Sequence, residues 1–515
     1  MTRTLPAPVG AGQDERFGPR LWGLLLVLAG NMLIDALEVS VAVVALPAIG
    51  TDLGQPPTVT QWAMTGFAAG FGGLLLFGAR VVTLLGRRRV YLAALLAFAA
   101  ASVLSALAHD PWLLLATRLT KGFCAALTAP TGLAIITSTF PEGRPRSRAV
   151  SVYTLFGAGG FTAGLLLSGW LTETSWRWAF AFPAPVVLVL FACGLRLIPG
   201  EETGPSAPRA DAPSAPKGRG EPRDQPARRR TIATTARRYD IPGALTFLGA
   251  LLALVQAITQ LPTHGWSDPR AVGPLCTAVL LVLALRQIER RSANPLLAVA
   301  PSLRGNPALI RSALGAACLN GSYLGLLFVL TYQTQTLAGW SPLRTALALL
   351  PAAAPPALTA LASGRLVARF GAPRLVVAGA ACAFAGMLLQ LRPHPWPLDY
   401  PGRMLPTLLL VGTAFVLSFA ALNMQAMSRL TPADRLTGSG LYQTAVQLAA
   451  VLAVALTAAL LAAHAPAPGA GPAAAAAACR PALALTAALG LLGLLVGLTG
   501  LIRTPPPPSS PHHGE

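Results

Sequence analysis

The sequence predicts an all-α membrane protein with fourteen transmembrane helices. Of its 515 residues, 54% are hydrophobic and only 11% are charged, whereas a soluble domain has about 25% charged residues. Apolar runs of about 20 residues, the length that crosses a bilayer, follow one another along the chain. The basic residues lie mainly between these runs, at alternate connections. Together these observations exclude an ordinary water-soluble fold.

Fourteen runs have the length and composition of a spanning helix. The first six are Leu21–Ile49, Thr60–Ala79, Val90–Ala108, Trp112–Phe140, Ala149–Leu171 and Ala179–Ile198. Two more, Ile241–Leu261 and the shorter Ala271–Gln287, follow a polar stretch. The last six are Leu309–Tyr332, Thr345–Ser363, Arg374–Leu391, Met404–Ser428, Gly438–Ala463 and Pro481–Ile502.

The distribution of basic residues indicates the orientation, because Lys and Arg concentrate in cytoplasmic connections. With a cytoplasmic N-terminus, 31 of the 39 basic residues fall on the cytoplasmic side. One span more or fewer would place arginine clusters outside. The strong preference for Arg over Lys, with abundant Ala, indicates a GC-rich bacterial genome. We therefore expect a multi-pass protein of the bacterial plasma membrane with both termini in the cytoplasm.

The spans divide the chain into predicted segments. These are a cytoplasmic tail (1–20), a six-helix bundle (21–198), a linker (199–240), two extra central helices (241–287), a cytoplasmic loop (288–308), a second six-helix bundle (309–502) and a cytoplasmic tail (503–515). The linker is rich in Pro, Ala, Arg and Gly, a composition that cannot bury a core. It is predicted to be a disordered basic tether with affinity for lipid headgroups.

Several function classes are excluded by composition and by missing motifs. The net charge of +20 would suggest nucleic acid as a partner, but the arginines lie between apolar runs, so the expected partners are the lipid bilayer and a small-molecule substrate. The six cysteines form no CxxC pair, and there is no phosphate-binding loop, HExxH or GxSxG motif. We therefore expect no enzyme activity, no metal and no cofactor, and the expected energy source is a proton gradient.

Two connections in opposite parts of the chain are alike. Ala79–Arg89 follows the second span and Gly364–Arg374 follows the tenth, and each has a small residue, then Gly, then Arg at matching spacing. Six spans at each end with a repeated connection predict two related bundles. Such internal repeats are typical of secondary transporters, which bind substrate at the midplane between the repeats.

Short motifs along most of the chain support one family. They are Ala45–Pro47, Gln61 with Trp62, Arg118 with Gly122 and Pro130, Trp176–Trp178 with Phe180, Asp240 with Gly243, Asn294–Leu296, Gln335, Ser341–Leu343 with Pro351, and Gly438–Thr444. In this order and spacing the sequence resembles the major facilitator superfamily, specifically its fourteen-span drug:proton antiporter branch. The resemblance implies two six-helix bundles with two extra central helices, and we expect a monomer.

The resemblance also implies roles for particular residues. It implies that the repeated connections act in gating through Arg80, Gly86, Arg87, Arg88, Arg365, Gly371 and Arg374. The family's fifth-span motif corresponds here to Gly160, Gly164 and Gly169, which are expected to be hinge or packing positions. Gln335 and Asn423 are the predicted polar residues of the substrate cavity.

This chain departs from the family pattern at four positions. The acid that normally stands three residues before the loop glycine is replaced by Thr83, and by Ala368 in the repeat. Leu165 occupies the place of the fifth-span proline, and Lys121 the place of a fourth-span Gln. Thr83, Ala368 and Leu165 favour, as an alternative, an uncoupled carrier or a membrane sensor on the same fold.

Four charged residues lie deep within predicted spans: Asp35, Glu38, Arg118 and Lys121. A charge at the centre of a spanning helix costs about 2.5–3.5 kcal/mol on insertion scales, so such residues usually face the bundle interior and find partners. The members of each pair are three residues apart and share a helix face. If the first and fourth spans are neighbours, as the resemblance implies, the four can form one buried network.

Two roles for this network remain open. In the first, Glu38 and Asp35 are protonated and deprotonated during transport; Glu38 corresponds to the family's first-span acid and Arg118 to its fourth-span arginine. In the second, the network is a static ion-pair clasp that holds the helices together. The first favours a secondary active exporter of small amphipathic or cationic organic compounds, such as drugs and antibiotics, driven by proton antiport through alternating access. A dedicated exporter of one endogenous metabolite or lipid is a further alternative.

Overall fold

The structure is a computed structural model that describes residues 17–199, 240–292, 303, 305–392, 397–431, 434–467 and 469–502. All regular elements in these ranges are helices. The first eight are α1 Pro19–Leu53, α2 Pro57–Thr60, α3 Trp62–Leu85, α4 Arg87–Ala106, α5 Pro111–Thr139, α6 Arg144–Thr172, α7 Trp176–Ala181 and α8 Pro183–Leu197. Two follow the linker, α9 Ile241–His264 and α10 Pro269–Arg291.

The remaining helices are α11 Pro307–Thr331, α12 Pro342–Thr359, α13 Ser363–Phe370, α14 Ala372–Leu391, α15 Leu405–Met427, α16 Arg435–Ala463, α17 Pro472–Ala478 and α18 Arg480–Ile502, with π-helical turns at Tyr332–Leu337 and Tyr400–Met404. The predicted linker interior, the motif at Asn294–Leu296 and most of both tails lie outside the described residues.

The predicted all-α membrane class is confirmed. Thirteen helical segments of the described residues are long and apolar enough to cross a membrane, and there are fourteen if α12 and α13 form one span. These two helices meet at an angle of 77°, and the bend lies at the end of the tenth predicted span, Thr345–Ser363. The eighth span was predicted too short, since α10 extends from Pro269 to Arg291.

The helices pack mainly with others from the same end of the chain. In the first half, defined as residues 17–199, α1 packs on α6, α3 on α5, and α4 on α5 and α8. In the second half, residues 305–502, α11 packs on α16 and α18, and α14 on α15 and α18. The two halves meet along two seams, α3 with α16 and α6 with α12. Helix α9 lies against both α3 and α16, and α10 packs on α9.

Hydrophobic packing differs between the two ends of the bundle. At the end that contains Asp52, called the Asp52 side, one buried cluster joins both halves, with Leu46 and Ile49 from the first and Leu330 from the second. At the opposite end, called the Arg80 side, each half has its own cluster. Among the described residues, a second buried cluster also joins the halves, with Ala69 of α3 and Val451 of α16.

Hydrogen bonds also connect the halves towards the Asp52 side. The backbone N–H of Leu343 donates to the Glu173 carboxylate at 2.8 Å, across the seam between α6 and α12. On the same seam but closer to the middle of α6, the Thr162 hydroxyl donates to the carbonyl of Ala353 at 2.8 Å. These bonds and the shared cluster close the Asp52 side of the molecule in this conformation.

Candidate functional site

Close packing of α3 against α5 brings the charged face of α5 into the first half. A Cβ atom on Gly122 would overlap the carbonyl oxygen of Phe67, and one on Gly70 would overlap that of Leu119. Because only glycine permits such a close approach of two helix backbones, these two positions set the separation of α3 and α5. Arg118, one turn before Gly122, then reaches the Ala63 carbonyl oxygen, to which its Nε donates at 2.5 Å.

The predicted network forms around Glu38. Its carboxylate makes ion pairs with Arg118 through Nη1 and with Lys121 through Nζ, and all three side chains are fully buried. Nη2 of Arg118 also donates to the backbone oxygen of Glu38 at 2.9 Å. One carboxylate thus holds two bases and ties α1 to α5.

Aromatic rings surround the two bases. The Arg118 guanidinium lies 5.0 Å from the ring centre of Phe67 and 5.3 Å from that of Phe180. The Lys121 ammonium lies 5.1 Å from the ring centre of Phe98 and 5.7 Å from that of Phe180. Each such contact stabilises a cation by about 0.5–2 kcal/mol. The rings therefore help to stabilise the positive charge that remains because one carboxylate faces two bases.

Asp35 does not join these ion pairs, which corrects the prediction of one network with two acids and two bases. Its Oδ2 accepts hydrogen bonds from the Asn31 amide at 3.0 Å and the Thr128 hydroxyl at 2.9 Å. Oδ1 is buried and has no hydrogen bond to any described residue, and the side chain is only 6% exposed. Since Thr128 lies seven residues beyond Lys121, about 10 Å along α5, Asp35 meets a neutral part of that helix.

Two tyrosines lie near Asp35. Tyr91 and Tyr153 both lie within electrostatic range of the Asp35 carboxyl group. The Tyr153 hydroxyl donates to the Ala129 carbonyl at 2.8 Å, whereas the Tyr91 hydroxyl is buried and forms no hydrogen bond within the described part of the chain. Asp35 therefore lies among neutral polar groups, of which the Tyr91 hydroxyl has no hydrogen-bond partner among the described residues.

The repeated connections have the same backbone conformation. Gly86 has φ +88° and ψ 142°, and Gly371 has φ +79° and ψ 141°. Each donates its N–H to the residue four before it, Val82 at 3.1 Å and Val367 at 2.9 Å. Such positive φ values favour glycine. The predicted loops are thus nearly continuous helix with a break at one glycine, so Arg80 and Arg365 lie within helices, and Arg87, Arg88 and Arg374 lie in the first turns of α4 and α14.

Arg80 has a carboxylate partner that its own connection lacks. Its Nη1 lies 3.8 Å from Oδ2 of Asp240, the residue before α9, whose side chain is 3% exposed. Thr83, at the position where the family has an acid, donates its hydroxyl to the Arg80 carbonyl at 2.8 Å. The acid facing this arginine therefore comes from the start of the extra helices. The motif at Asp240 was the available signal, but the sequence did not indicate its partner.

The three glycines of α6 pack against two different helices. A Cβ on Gly160 would lie 2.5 Å from the Leu33 carbonyl oxygen, and one on Gly164 would overlap the Ser40 hydroxyl, both on α1. A Cβ on Gly169 would lie 2.5 Å from Cβ of Ala346 on α12. In this conformation Gly160 and Gly164 are packing positions within the first half, and Gly169 packs at the seam.

The two predicted cavity residues lie in different places. Nε2 of Gln335, in the first π-helical turn, donates to the Val44 carbonyl at 3.0 Å, so it joins the halves towards the Asp52 side. Asn423 on α15 is exposed, two turns beyond Phe415 and one beyond Phe419. Phe415 and Phe419 stack with ring centres 6.0 Å apart. The structure does not bring Gln335 and Asn423 together.

Many helices long and apolar enough to cross a membrane, with buried charges within them, are typical of a membrane transporter. Residues 28–454 match the Major Facilitator Superfamily, and the chain belongs to this family, whose members are transporters rather than enzymes. It is 34% identical over 443 residues, 85% of this chain and 80% of the relative, to the puromycin resistance protein pur8 of Streptomyces alboniger. It is 30% identical to the cephamycin export protein CmcT of Amycolatopsis lactamdurans, over 85% of this chain and 84% of the relative.

Solved structures agree with the fold. The chain superposes on the POT family transporter PepTSo with a TM-score of 0.62 at 15% identity, covering 95% of this chain and 100% of the other. A bacterial homolog of the human lysosomal transporter Spinster, in an inward-facing and unoccupied conformation, gives a TM-score of 0.60 at 16% identity, over 96% of this chain and 100% of the other. These likenesses establish the fold, and the family identified from the sequence motifs is confirmed.

Proposed function

We propose that this protein is a secondary active exporter of small amphipathic organic compounds, drugs and antibiotics among them, driven by proton antiport. The names of its relatives support export of such compounds. The observation that carries the coupling is the unequal pairing of the two acids of α1, since Glu38 has two bases and Asp35 has none among the described residues.

The proposal includes an arrangement in the membrane. Fourteen spans form two six-helix bundles, residues 21–198 and 309–502, with α9 and α10 as extra helices, and the protein acts as a monomer in the plasma membrane. Both termini are cytoplasmic, so the Arg80 side faces the cytoplasm and the Asp52 side faces outward. The closed Asp52 side then corresponds to the cytoplasm-facing conformation of an alternating-access cycle.

Asp35 is the acid that gains and loses the proton in this proposal. An ionised carboxylate in an apolar interior needs a positive partner, and the described contacts of Asp35 are neutral, so the carboxyl group is stable in this conformation when it carries a proton. Its unused Oδ1 is available for that proton. Glu38 remains ionised between Arg118 and Lys121 and holds α1 against α5. Proton release to the cytoplasm is linked to substrate loading, and proton uptake from outside to substrate release.

The alternative, an uncoupled carrier or sensor, is favoured by the complete pairing of Glu38 and by Thr83, Ala368 and Leu165 at positions where the family has other residues. A dedicated exporter of one compound is the other alternative. Proton movement linked to substrate separates antiport from the first alternative, and a panel of substrates separates it from the second.

The test uses inverted membrane vesicles with a preformed proton gradient and a fluorescent pH probe, to which puromycin and other antibiotics are added. We expect gradient collapse with wild type, none with Asp35→Asn, and wild-type collapse with Asp52→Asn, a control at the exposed end of the same helix. Membrane abundance is measured for each variant by immunoblot. Collapse by Asp35→Asn equal to wild type would remove Asp35 from coupling, and no collapse by wild type with any compound would favour the uncoupled alternatives.

A further inference from the structure

Four aromatic side chains in successive ring contact connect the two halves, and we call them the aromatic platform: Phe161, Tyr323, Phe415 and Phe419. Tyr323 is buried, Phe161 and Phe415 are half-buried, and Phe419 is exposed. The ring centres of Phe161 on α6 and Tyr323 on α11 are 5.7 Å apart, and those of Tyr323 and Phe415 on α15 are 4.5 Å apart. Phe415 and Phe419 are stacked at 6.0 Å with an interplanar angle of 24°. The platform begins in the first half and continues down α15 in the second half.

The lower end of the platform faces the interior of the molecule. On the same side of α15, Phe415 contacts Tyr323 of α11. A Cβ atom added to Gly412 would lie 2.6 Å from the carbonyl oxygen of Pro351 on α12. Phe419 lies between these two directions, one turn closer to the Arg80 side, where each half has its own hydrophobic cluster. Its side chain is nevertheless 44% exposed. Phe419 thus presents a ring face to the space between the halves.

Polar groups border the platform without adding charge. Asn423, one turn beyond Phe419, is exposed, and its amide offers both a donor and an acceptor. The Asn320 amide, one turn before Tyr323, donates to the Val446 carbonyl at 3.2 Å. Hydrogen-bonding substituents of a bound molecule can therefore be recognised next to the rings.

The platform has no anionic partner for a cation. Helices α6, α11 and α15 contain no Asp or Glu. Of the two acids deep within α1, Glu38 is paired with two bases, and Asp35 is 6% exposed and, in the proposed function, carries a proton in this conformation. A cation leaving water for this site would have only ring faces to stabilise it, and these offset a small part of the cost of dehydration. Neutral aromatic molecules meet no such cost, and they stack on offset rings.

The geometry points to the aromatic platform as a binding site for uncharged, planar aromatic compounds, with Asn423 donating to or accepting from their polar substituents. This assignment rests on the proposed export function and names its substrate class. It narrows the prediction of amphipathic or cationic compounds to the uncharged part of that range. The first half then supplies the titrating acid, and the platform holds the cargo.

Binding is tested with the purified full chain in detergent and two probes that share a tricyclic ring system, uncharged acridone and cationic N-methylacridinium, by fluorescence titration. We expect wild type to bind acridone about tenfold more tightly than the cation. Phe419→Leu, which keeps apolar volume but removes the ring, is expected to weaken acridone binding about threefold to tenfold. Phe419→Tyr, which keeps the ring, and Phe123→Leu, which removes a ring stacked on Phe77 elsewhere in the first half, should leave it within about twofold.

Equal or tighter binding of N-methylacridinium would overturn the uncharged class. An unchanged acridone Kd in Phe419→Leu, or no acridone binding to wild type, would overturn the site. Because binding in detergent needs no proton gradient, acridone binding without gradient collapse in vesicles would reject antiport and keep the platform. Gradient collapse by antibiotics without acridone binding would support antiport and reject the aromatic platform as the binding site.

Discussion

Helices α5 and α15 occupy corresponding places in the two halves and show what differs between them. Each contacts the preceding seam helix through a glycine, Gly122 against the Phe67 carbonyl of α3 and Gly412 against the Pro351 carbonyl of α12. Four residues and one residue before the glycine, α5 has Arg118 and Lys121, whereas α15 has Leu408 and Val411. Both pairs are fully buried.

The contrast continues beyond the glycine. Three and seven residues after it, α5 has Ala125 and Ala129, while α15 has Phe415 and Phe419 of the aromatic platform. One packing scaffold therefore carries charge in the first half and an aromatic surface in the second. A repeated fold leaves side chains at equivalent positions free to diverge, provided that the backbone approach at the glycine is kept.

The largest expected effect comes from removing the charge of Glu38 while the two bases of α5 stay in place. Glu38→Gln leaves Arg118 and Lys121 buried without their carboxylate, and breaking a buried pair in this way costs about 3–5 kcal/mol of unfolding free energy. Chemical denaturation of the purified protein in detergent measures this loss.

The matched variant completes the exchange. The triple variant combines Glu38→Leu with Arg118→Leu and Lys121→Val, and the last two substitutions install the residues found on α15, Leu408 and Val411. Replacing a buried ion pair by apolar residues is often neutral or stabilising. We expect this triple variant to recover most of the stability that Glu38→Gln loses. A triple variant as unstable as Glu38→Gln would show that the two halves are not equivalent in packing.

The next effect tests the shared backbone approach. Gly122→Ala and Gly412→Ala each place a Cβ against a carbonyl oxygen of the neighbouring helix, and overpacking of this kind costs about 1–3 kcal/mol, with Gly122 the more crowded. Gly159→Ala on α6 is the control, because a Cβ there meets nothing within 4 Å. Thermal unfolding monitored by circular dichroism compares the three. Equal stability of Gly122→Ala and Gly159→Ala would contradict the close approach of α3 and α5.

The smallest contrast is expected at the connections, where the halves agree. Gly86 and Gly371 have nearly the same positive φ, so alanine at either position strains the backbone by about 1–3 kcal/mol. We expect the two alanine variants to lose stability equally, within about 0.5 kcal/mol. A clear difference between their denaturation midpoints would indicate that the two connections are held differently despite their common conformation.

Much of this protein follows from the sequence, because the bilayer imposes its requirements on each segment separately. A spanning helix must be apolar and must satisfy its own backbone hydrogen bonds, so the spans, the α-helical class and the four buried charges could be recognised locally. The repeated connection was also visible, since its conformation needs glycine at one position in each copy, Gly86 and Gly371.

Which groups meet was decided only by the tertiary structure. Glu38 takes both bases and Asp35 takes neither, because a shift of about two turns along α5 separates Lys121 from Thr128. Arg80 meets Asp240 across 160 residues of sequence. The aromatic platform joins residues from α6, α11 and α15, whose distances depend on how three helices pack across a seam. Apolar periodicity is alike for a ring that faces lipid and one that faces the interior, so only packing distinguishes them.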